Sequence, residues 1–328
     1  MPANLPPPYF EAEKRYREAK TAEDKLEALE QMLTIMPKHK GTDKLRADLR
    51  KRIAKVKAES QQKKGSSRRD ADYRIDKEGA AQVLFVGAPN TGKSSLVTLL
   101  TNARPEIGAF PHTTWKPTAG MAFFENIQFQ LVDTPPLSKD FVDPGMTDLL
   151  RRTDLLAIVV DLQADALHQL EETCTILHQL RIFAIGSQPP AGLLKPPFFK
   201  KILLLANKMD SRREEEDFDV FLELSQTQLP ALGVSTRTGR NLARVPEEIF
   251  RLAQITRVYT KAPGKEPDRT SPFVLPAGST LEDLAAKIHK DFVAKLKFAR
   301  VWGSAVYDGQ MVQRDYVMQD GDVVEMHI

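Results

Sequence analysis

Residues 82–95, QVLFVGAPNTGKSS, constrain the fold more than any other stretch of this chain. The apolar run from Gln82 to Gly87 ends in glycine and reads as a buried strand, and SLVTLLTNA beyond the motif reads as a helix. Between them stands G-x-x-x-x-G-K-S, in the strand–loop–helix context that a phosphate-binding loop requires. Gly87 and Gly92 permit the tight turn whose backbone amides face the phosphates; Pro89, Asn90, Thr91 and Ser95 complete the loop. Lys93 supplies positive charge at the β- and γ-phosphates, and the Ser94 hydroxyl is placed for Mg²⁺. The competing reading, a chance glycine-rich turn, does not account for the flanking strand and helix.

Three further segments extend this site. ANKMD, Ala206 to Asp210, ends a second buried strand. The Asp210 carboxylate can accept both donors on the guanine edge, N1–H and the 2-amino group; adenine offers no such pair. Asn207 can bond the ring and its neighbouring loop, and the Lys208 stem can lie on the base. Alone, N-K-x-D is also a polar helix cap. Ser235 and Thr236, after ALGV, fit a loop closing over guanine, although Ser/Thr at a strand end is also ordinary turn chemistry. Asp133 in LVDTPP ends a strand and is placed to hold Mg²⁺ through water. FPHTTWKP, Phe110 to Pro117, supplies hydroxyls for a loop closing on Mg²⁺ and the γ-phosphate: Thr114 is the choice and Thr113 the alternative, against a purely structural Thr pair. Lys93 and Thr114 are thus the candidates for the chemical step, and Ser94, Thr114 and Asp133 for the metal.

The remaining chain falls into distinct regions. Residues 9–36 read as one helix, with Leu26, Leu29, Leu33 and Met36 in a stripe. A second, capped by Thr42, carries Leu45, Leu49, Ile53 and Val56, so a helical hairpin is expected. From Lys38 to Arg69 there are 13 Lys or Arg against three acids, ending in a polar linker, residues 61–72. This block suits a polyanion such as RNA, or else is a solvated helical face and linker. The middle region alternates LLAIVVDL, KILLLANK and ALGVST with helical segments, which implies a mainly parallel sheet covered on both faces. Residues 187–199 are proline-rich and expected to be irregular. The last region has strand candidates RVYT, SPFVL, ARVWG and VVEMHI and one helix presenting Leu281, Leu284, Ile288 and Phe292. Trp302 is expected in the core, and Tyr307 is open to stacking on a base. The domains expected are therefore 1–72, 73–255 and 256–328. No apolar run approaches a membrane span, the N-terminus lacks a signal-peptide core, and the single Cys174 excludes an internal disulfide framework. A cytoplasmic protein without a membrane partner is the expectation; the oligomeric state has no signature.

The order GAPNTGKS, FPHTTWKP, DTPP, NKMD, ST resembles a translation-factor-class GTPase of the Obg-related group. Phe110 with the Thr pair, Pro117 and Gly120 is similar to that group's F-T-T-x-x-P-x-x-G. The C-terminal run from Arg257 to Gln310 is similar to the TGS domain of developmentally regulated GTP-binding proteins, and the hairpin more weakly to their N-terminal helical segment. The resemblance implies an α/β GTPase domain, a β-grasp TGS domain, binding and hydrolysis of GTP, and association with ribosomes or RNA. Three departures stand out. Pro136 replaces the glycine whose N–H meets the γ-phosphate, and proline has none. LSKDFVDPGMTD replaces the family's glycine-rich continuation, and Asn90 stands where close relatives have serine. That asparagine resembles the P-loop residue of GTPases activated by K⁺. Leu137 occupies the place of a water-orienting glutamine, a feature the family shares, which argues for slow turnover aided by a cation or partner.

Two readings follow: a Mg²⁺-dependent GTPase switch on ribosomes or structured RNA, and a guanine-nucleotide-responsive RNA-binding module with negligible hydrolysis, favoured by Pro136. An ATPase is a third, opposed by Asp210.

Overall fold

The computed structural model of the protein describes residues 7–19, 22–36, 47–49, 51–53, 73–101, 116–139 and 142–327. The chain divides into two compact units, Met1–Asp72 and Tyr73–Ile328. In the first, α1 (Pro7–Glu18) packs on α2 (Ala22–Ile35), and residues 47–49 and 51–53 are helical. Tyr9, Ala12, Leu29, Met32, Met36, Leu49 and Ile53 make a small core. The single helix expected over 9–36 is therefore two. The sequence carries the reason at 21–24, Thr-Ala-Glu-Asp, an N-cap residue type followed by two acids. The linker and most of the basic block lie outside the described residues.

The second unit begins with a seven-stranded sheet. Its elements are β1 (Ala81–Val86), α3 (Lys93–Thr101), β2 (Thr118–Phe124), β3 (Ile127–Asp133), α4 (Pro144–Arg152), β4 (Leu155–Asp161), α5 (Ala166–Gln179), β5 (Ile182–Ala184), β6 (Phe198–Asn207), α6 (Arg212–Ser225), β7 (Ala231–Gly233) and α7 (Arg244–Ala253). The order is β2-β3-β1-β4-β6-β5, with β7 also on β6; only β2 runs antiparallel to its neighbour. Strand β4 is buried along its whole length because helices cover both faces. Leu156, Ile158 and Val160 face α4, α5 and α6, while Leu155, Ala157 and Val159 face α3 and α7. Parallel strands bring their C-terminal ends to one edge, so Gly87, Asp133, Asp161, Asn207 and Val234 lie along the same rim.

The proline-rich stretch is irregular only to Pro197. Phe198 and Phe199 already belong to β6, pairing with Ile182 and Phe183 of β5, because their aromatic side chains suit a strand once a partner is present. Helix α4 turns Met146, Leu149 and Leu150 inward, whereas α6 buries only Phe221; both have strong caps. The Asp143 side chain accepts from Gly145 N at 2.8 Å with Pro144 at the first helical position. Ser211 and Glu214 form a reciprocal capping box.

The C-terminal part contains β8 (Ile255–Thr260), β9 (Phe273–Pro276), α8 (Leu281–Ile288), α9 (Lys290–Lys295), β10 (Phe298–Trp302), β11 (Gln310–Val312) and β12 (Val323–His327). Its mixed sheet, β11-β10-β12-β8-β9, places a parallel β12–β8 pair at the centre, a β-grasp arrangement. The one helix expected here is split at His289, whose extended backbone lets its Nδ1 accept from Asp291 N at 3.2 Å. Leu281 and Leu284 are buried, with Ile288 and Phe292 packed beside them. Trp302 is half-buried rather than core: it lies on the sheet face away from Val301, with the Lys261 ammonium 3.8 Å from its ring centroid. Tyr307 is 86% exposed. Arg257 ties this sheet to the β2–β3 turn, pairing with Asp320 at 2.7 Å and with Glu125.

Candidate functional site

The phosphate-binding loop is shaped by close approaches that only glycine tolerates. Gly87 and Gly92 have φ of 143° and 91°. A Cβ on Gly92 would stand 2.2 Å from Asn207 Nδ2, and one on Gly87 2.4 Å from the Val159 carbonyl oxygen. Asn207 is fully buried and binds two loops together: its Nδ2 donates to the Thr91 carbonyl at 2.9 Å, and its Oδ1 accepts from Thr236 N at 3.3 Å. Thr91 is likewise buried, whereas Pro89, Asn90 and Ser95 are exposed. Asn90 has φ 61°, a left-handed conformation that asparagine adopts more readily than most residues.

Lys93 is 4% exposed and folds over the loop, donating to the carbonyls of Ala88 at 2.6 Å and Gly87 at 3.1 Å. Burial pushes its pKa down to about 8, with the Asp133 charge opposing the shift. The loop thus holds a cation poised among carbonyl oxygens, where an anion would complete its coordination.

Ser94 Oγ donates to Asp133 Oδ2 at 2.6 Å. Burial raises the Asp133 pKa against the hydrogen bond from Ser94 and the Lys93 charge. Its Oδ1 is buried with no hydrogen-bond partner among the described residues. A hydroxyl and a carboxylate with one uncommitted oxygen form an all-oxygen donor set, which fits a hard cation such as Mg²⁺. Thr113 and Thr114 lie outside the described residues, as do Phe110 and His112. Beyond Asp133, Thr134 Oγ1 donates to the Phe85 carbonyl at 2.7 Å and anchors the segment. Pro136 offers no donor. The next amide, Leu137 N, donates to the Gly87 carbonyl at 3.4 Å, and the Leu137 side chain is buried in the core.

The NKMD segment meets the Ser235 loop on the other side. Lys208 has φ 66° and its ammonium pairs with Asp161. Asp210 Oδ1 accepts from the Ser235 hydroxyl, whose oxygen in turn accepts from Thr238 N at 2.9 Å. Asp210 Oδ2 accepts from Arg237 Nε at 2.8 Å and Gln163 Nε2 at 3.0 Å. Burial alone would raise the Asp210 pKa, but the donors Ser235, Arg237 and Gln163 outweigh it and hold the carboxyl below its usual value. Gln163 Nε2 also reaches the Lys208 carbonyl at 3.1 Å. Asp161, Gln163 and Arg237 are residues that the sequence reading did not include. Asp161 closes a buried strand as Asp133 does, and Arg237 directly follows the Ser-Thr pair; these were the available signals.

The phosphate loop, the all-oxygen cation set and the hydrogen-bonded cluster around Asp210 therefore share one rim of the sheet. Two family models match the same chain: the 50S ribosome-binding GTPase over residues 82–186 and the TGS domain over 256–328. The chain carries a GTPase domain and a C-terminal TGS domain. An uncharacterized GTP-binding protein of Methanocaldococcus jannaschii is 27% identical over 368 aligned residues, covering 93% of each chain. Developmentally-regulated GTP-binding protein 1 of Xenopus laevis is 28% identical, covering 85% of this chain and 91% of its own. Among solved structures, the G domain of the T. maritima FeoB iron transporter is similar at 23% identity and TM-score 0.39, covering 53% of this chain and 99% of that one. The TGS match spans the C-terminal mixed sheet. Among the described residues, no helix is long and apolar enough to cross a membrane.

Proposed function

We propose that this protein hydrolyses GTP to GDP and phosphate with Mg²⁺ and acts as a slow switch on ribosomes or structured RNA in the cytoplasm. Its working parts on this reading are a basic segment 1–72, a GTPase domain 73–255 and a TGS domain 256–328. One observation carries the enzymatic reading: Lys93 folds over its own loop onto the Gly87 and Ala88 carbonyls at 3.1 and 2.6 Å, while the next residue, Ser94, donates to Asp133 Oδ2 at 2.6 Å. Lys93 and the loop amides bind the phosphates. Ser94, Asp133 and Thr114 would hold Mg²⁺, which when bound neutralises charge on the β- and γ-oxygens. Asn207 fixes the base loop against the phosphate loop, Lys208 flanks the base, Asp210 reads it, and Ser235 with Thr236 close over it. Water attacks the γ-phosphoryl group, so positioning and charge neutralisation suffice without a nucleophilic side chain. Competition tests the nucleotide: a large excess of ATP should leave bound GTP in place, and displacement would favour an ATPase.

One observation favours the second reading, a nucleotide-responsive RNA-binding module with little hydrolysis. Pro136 cannot donate, and the Leu137 amide is already engaged by Gly87.

RNA association is expected to run through residues 38–69. The name of the matching GTPase family and the charge of this block support it. With five or more phosphate contacts, affinity should fall by roughly two to three orders of magnitude between about 50 and 200 mM salt. Cosedimentation with ribosomes checks this. Intact binding and an unchanged salt slope after deletion of residues 1–70 would shift the contact to the TGS domain, whose charges balance.

Turnover is expected to be faster in K⁺ than in Na⁺. Asn90, exposed in the loop, would help hold a monovalent cation against the phosphates, adding positive charge where Leu137 offers none; its resemblance to the P-loop residue of cation-activated GTPases supports this. The left-handed backbone at Asn90 is a sufficient reason for an asparagine without any cation. Rates at fixed ionic strength in KCl and NaCl, for wild type and Asn90→Ala, decide between these. Equal wild-type rates leave Asn90 a bracing role alone.

A further inference from the structure

We propose that Arg237 competes with guanine for Asp210 and so sets how strongly the 2-amino group is read. The inference rests on Asp210 as the base-reading residue. A carboxylate has about four lone-pair positions. In the free protein three are filled: Ser235 takes one on Oδ1, and Gln163 and Arg237 take both on Oδ2. One position remains, on Oδ1. Guanine brings two donors, N1–H and the 2-amino group, so one of them must land on Oδ2 and displace a resident donor.

The two residents are held very differently. Gln163 is pinned by its backbone N to Asp161 Oδ1 at 2.9 Å and by its amide to the Lys208 carbonyl at 3.1 Å, as well as to Asp210. Arg237 is 71% exposed, and its guanidinium reaches Asp210 through Nε. Arg237 is therefore the group that leaves. Guanine gains its second hydrogen bond at the expense of an existing one, and the net gain from the 2-amino group is compressed. Hypoxanthine, the base of inosine, has N1–H but no 2-amino group. Its single donor fits the open position on Oδ1 and displaces nothing.

The test is the ratio of affinities for GDP and IDP, measured calorimetrically on the full chain for wild type, Arg237→Ala and Arg237→Met. The methionine keeps the length of the side chain and removes its donor and charge. Removing an exposed ion pair should tighten GDP binding by roughly two- to fivefold. IDP binding should stay unchanged, so the preference for GDP widens by the same factor in both variants. An electrostatic effect on phosphate, or a general loosening of the loop, would move both nucleotides together and leave the ratio alone. An unchanged or narrowed ratio overturns the proposal and makes Arg237 a base-holding or neutral residue. Asp210→Asn, assayed with GDP and XDP, separates the two levels: no gain of XDP preference there would remove the base-reading role of Asp210 and the inference with it.

Discussion

Replacing Lys93 by alanine is expected to abolish GTP binding at micromolar nucleotide while leaving the fold intact. The ammonium is buried against the Gly87 and Ala88 carbonyls, and the apolar clusters that form the core are built from other residues. Hydrogen bonds to charged groups contribute about 1.5–3 kcal/mol each. Loss of one or two therefore lowers affinity by roughly one to four orders of magnitude. A second readout follows from protonation. In the free protein burial lowers the Lys93 pKa to about 8, and bound polyphosphate stabilises the charged form and raises it again. Binding then takes up a proton whenever the pH exceeds that of the free group. Affinity for GDP should be flat below about pH 8 and fall by up to about tenfold per unit above it. Calorimetry across this range, with circular dichroism of the variant, checks both. Wild-type affinity and turnover in Lys93→Ala would remove the phosphate role.

The second large effect is expected from Asp210→Asn, which should exchange guanine for xanthine. The carboxylate accepts from N1–H and the 2-amino group, whereas an amide can donate to the 2-oxo group of xanthine. Each lost charge-assisted bond weakens GTP by about tenfold or more, so the affinities for GTP and XTP should cross. The amide also gives up part of its hold on Arg237 and Ser235, so some general loss of affinity accompanies the exchange. If GTP and XTP both keep their wild-type affinities, NKMD is not the base-reading segment.

What the sequence shows and what it hides follow one physical division. The phosphate loop, its strand and its helix are a local pattern, readable because glycine spacing and apolar runs are set within about twenty residues. The alternation of β4, α5 and β6 is readable for the same reason. Helix α6 was not, since RREEEDFDVFLELS buries only Phe221; the Ser211–Glu214 capping box was the signal to use. Strand β5 has three residues and exists through its pairing with β6. The donors around Asp210 are the least visible. Gln163 lies 47 positions before it and Arg237 27 after, and only the shared rim of the sheet brings them together. A motif therefore names the carboxylate, while the fold supplies the residues that orient and contest it.

The most direct measurement of the central claim is single-turnover phosphate release from GTP by the full chain, with and without Mg²⁺ and with and without ribosomes. The account predicts slow release that requires Mg²⁺, accelerates on ribosomes and disappears in Lys93→Ala. Tight GTP binding with no phosphate released under any of these conditions would contradict it, and would leave a nucleotide-responsive binding module in which Pro136 has silenced the chemistry.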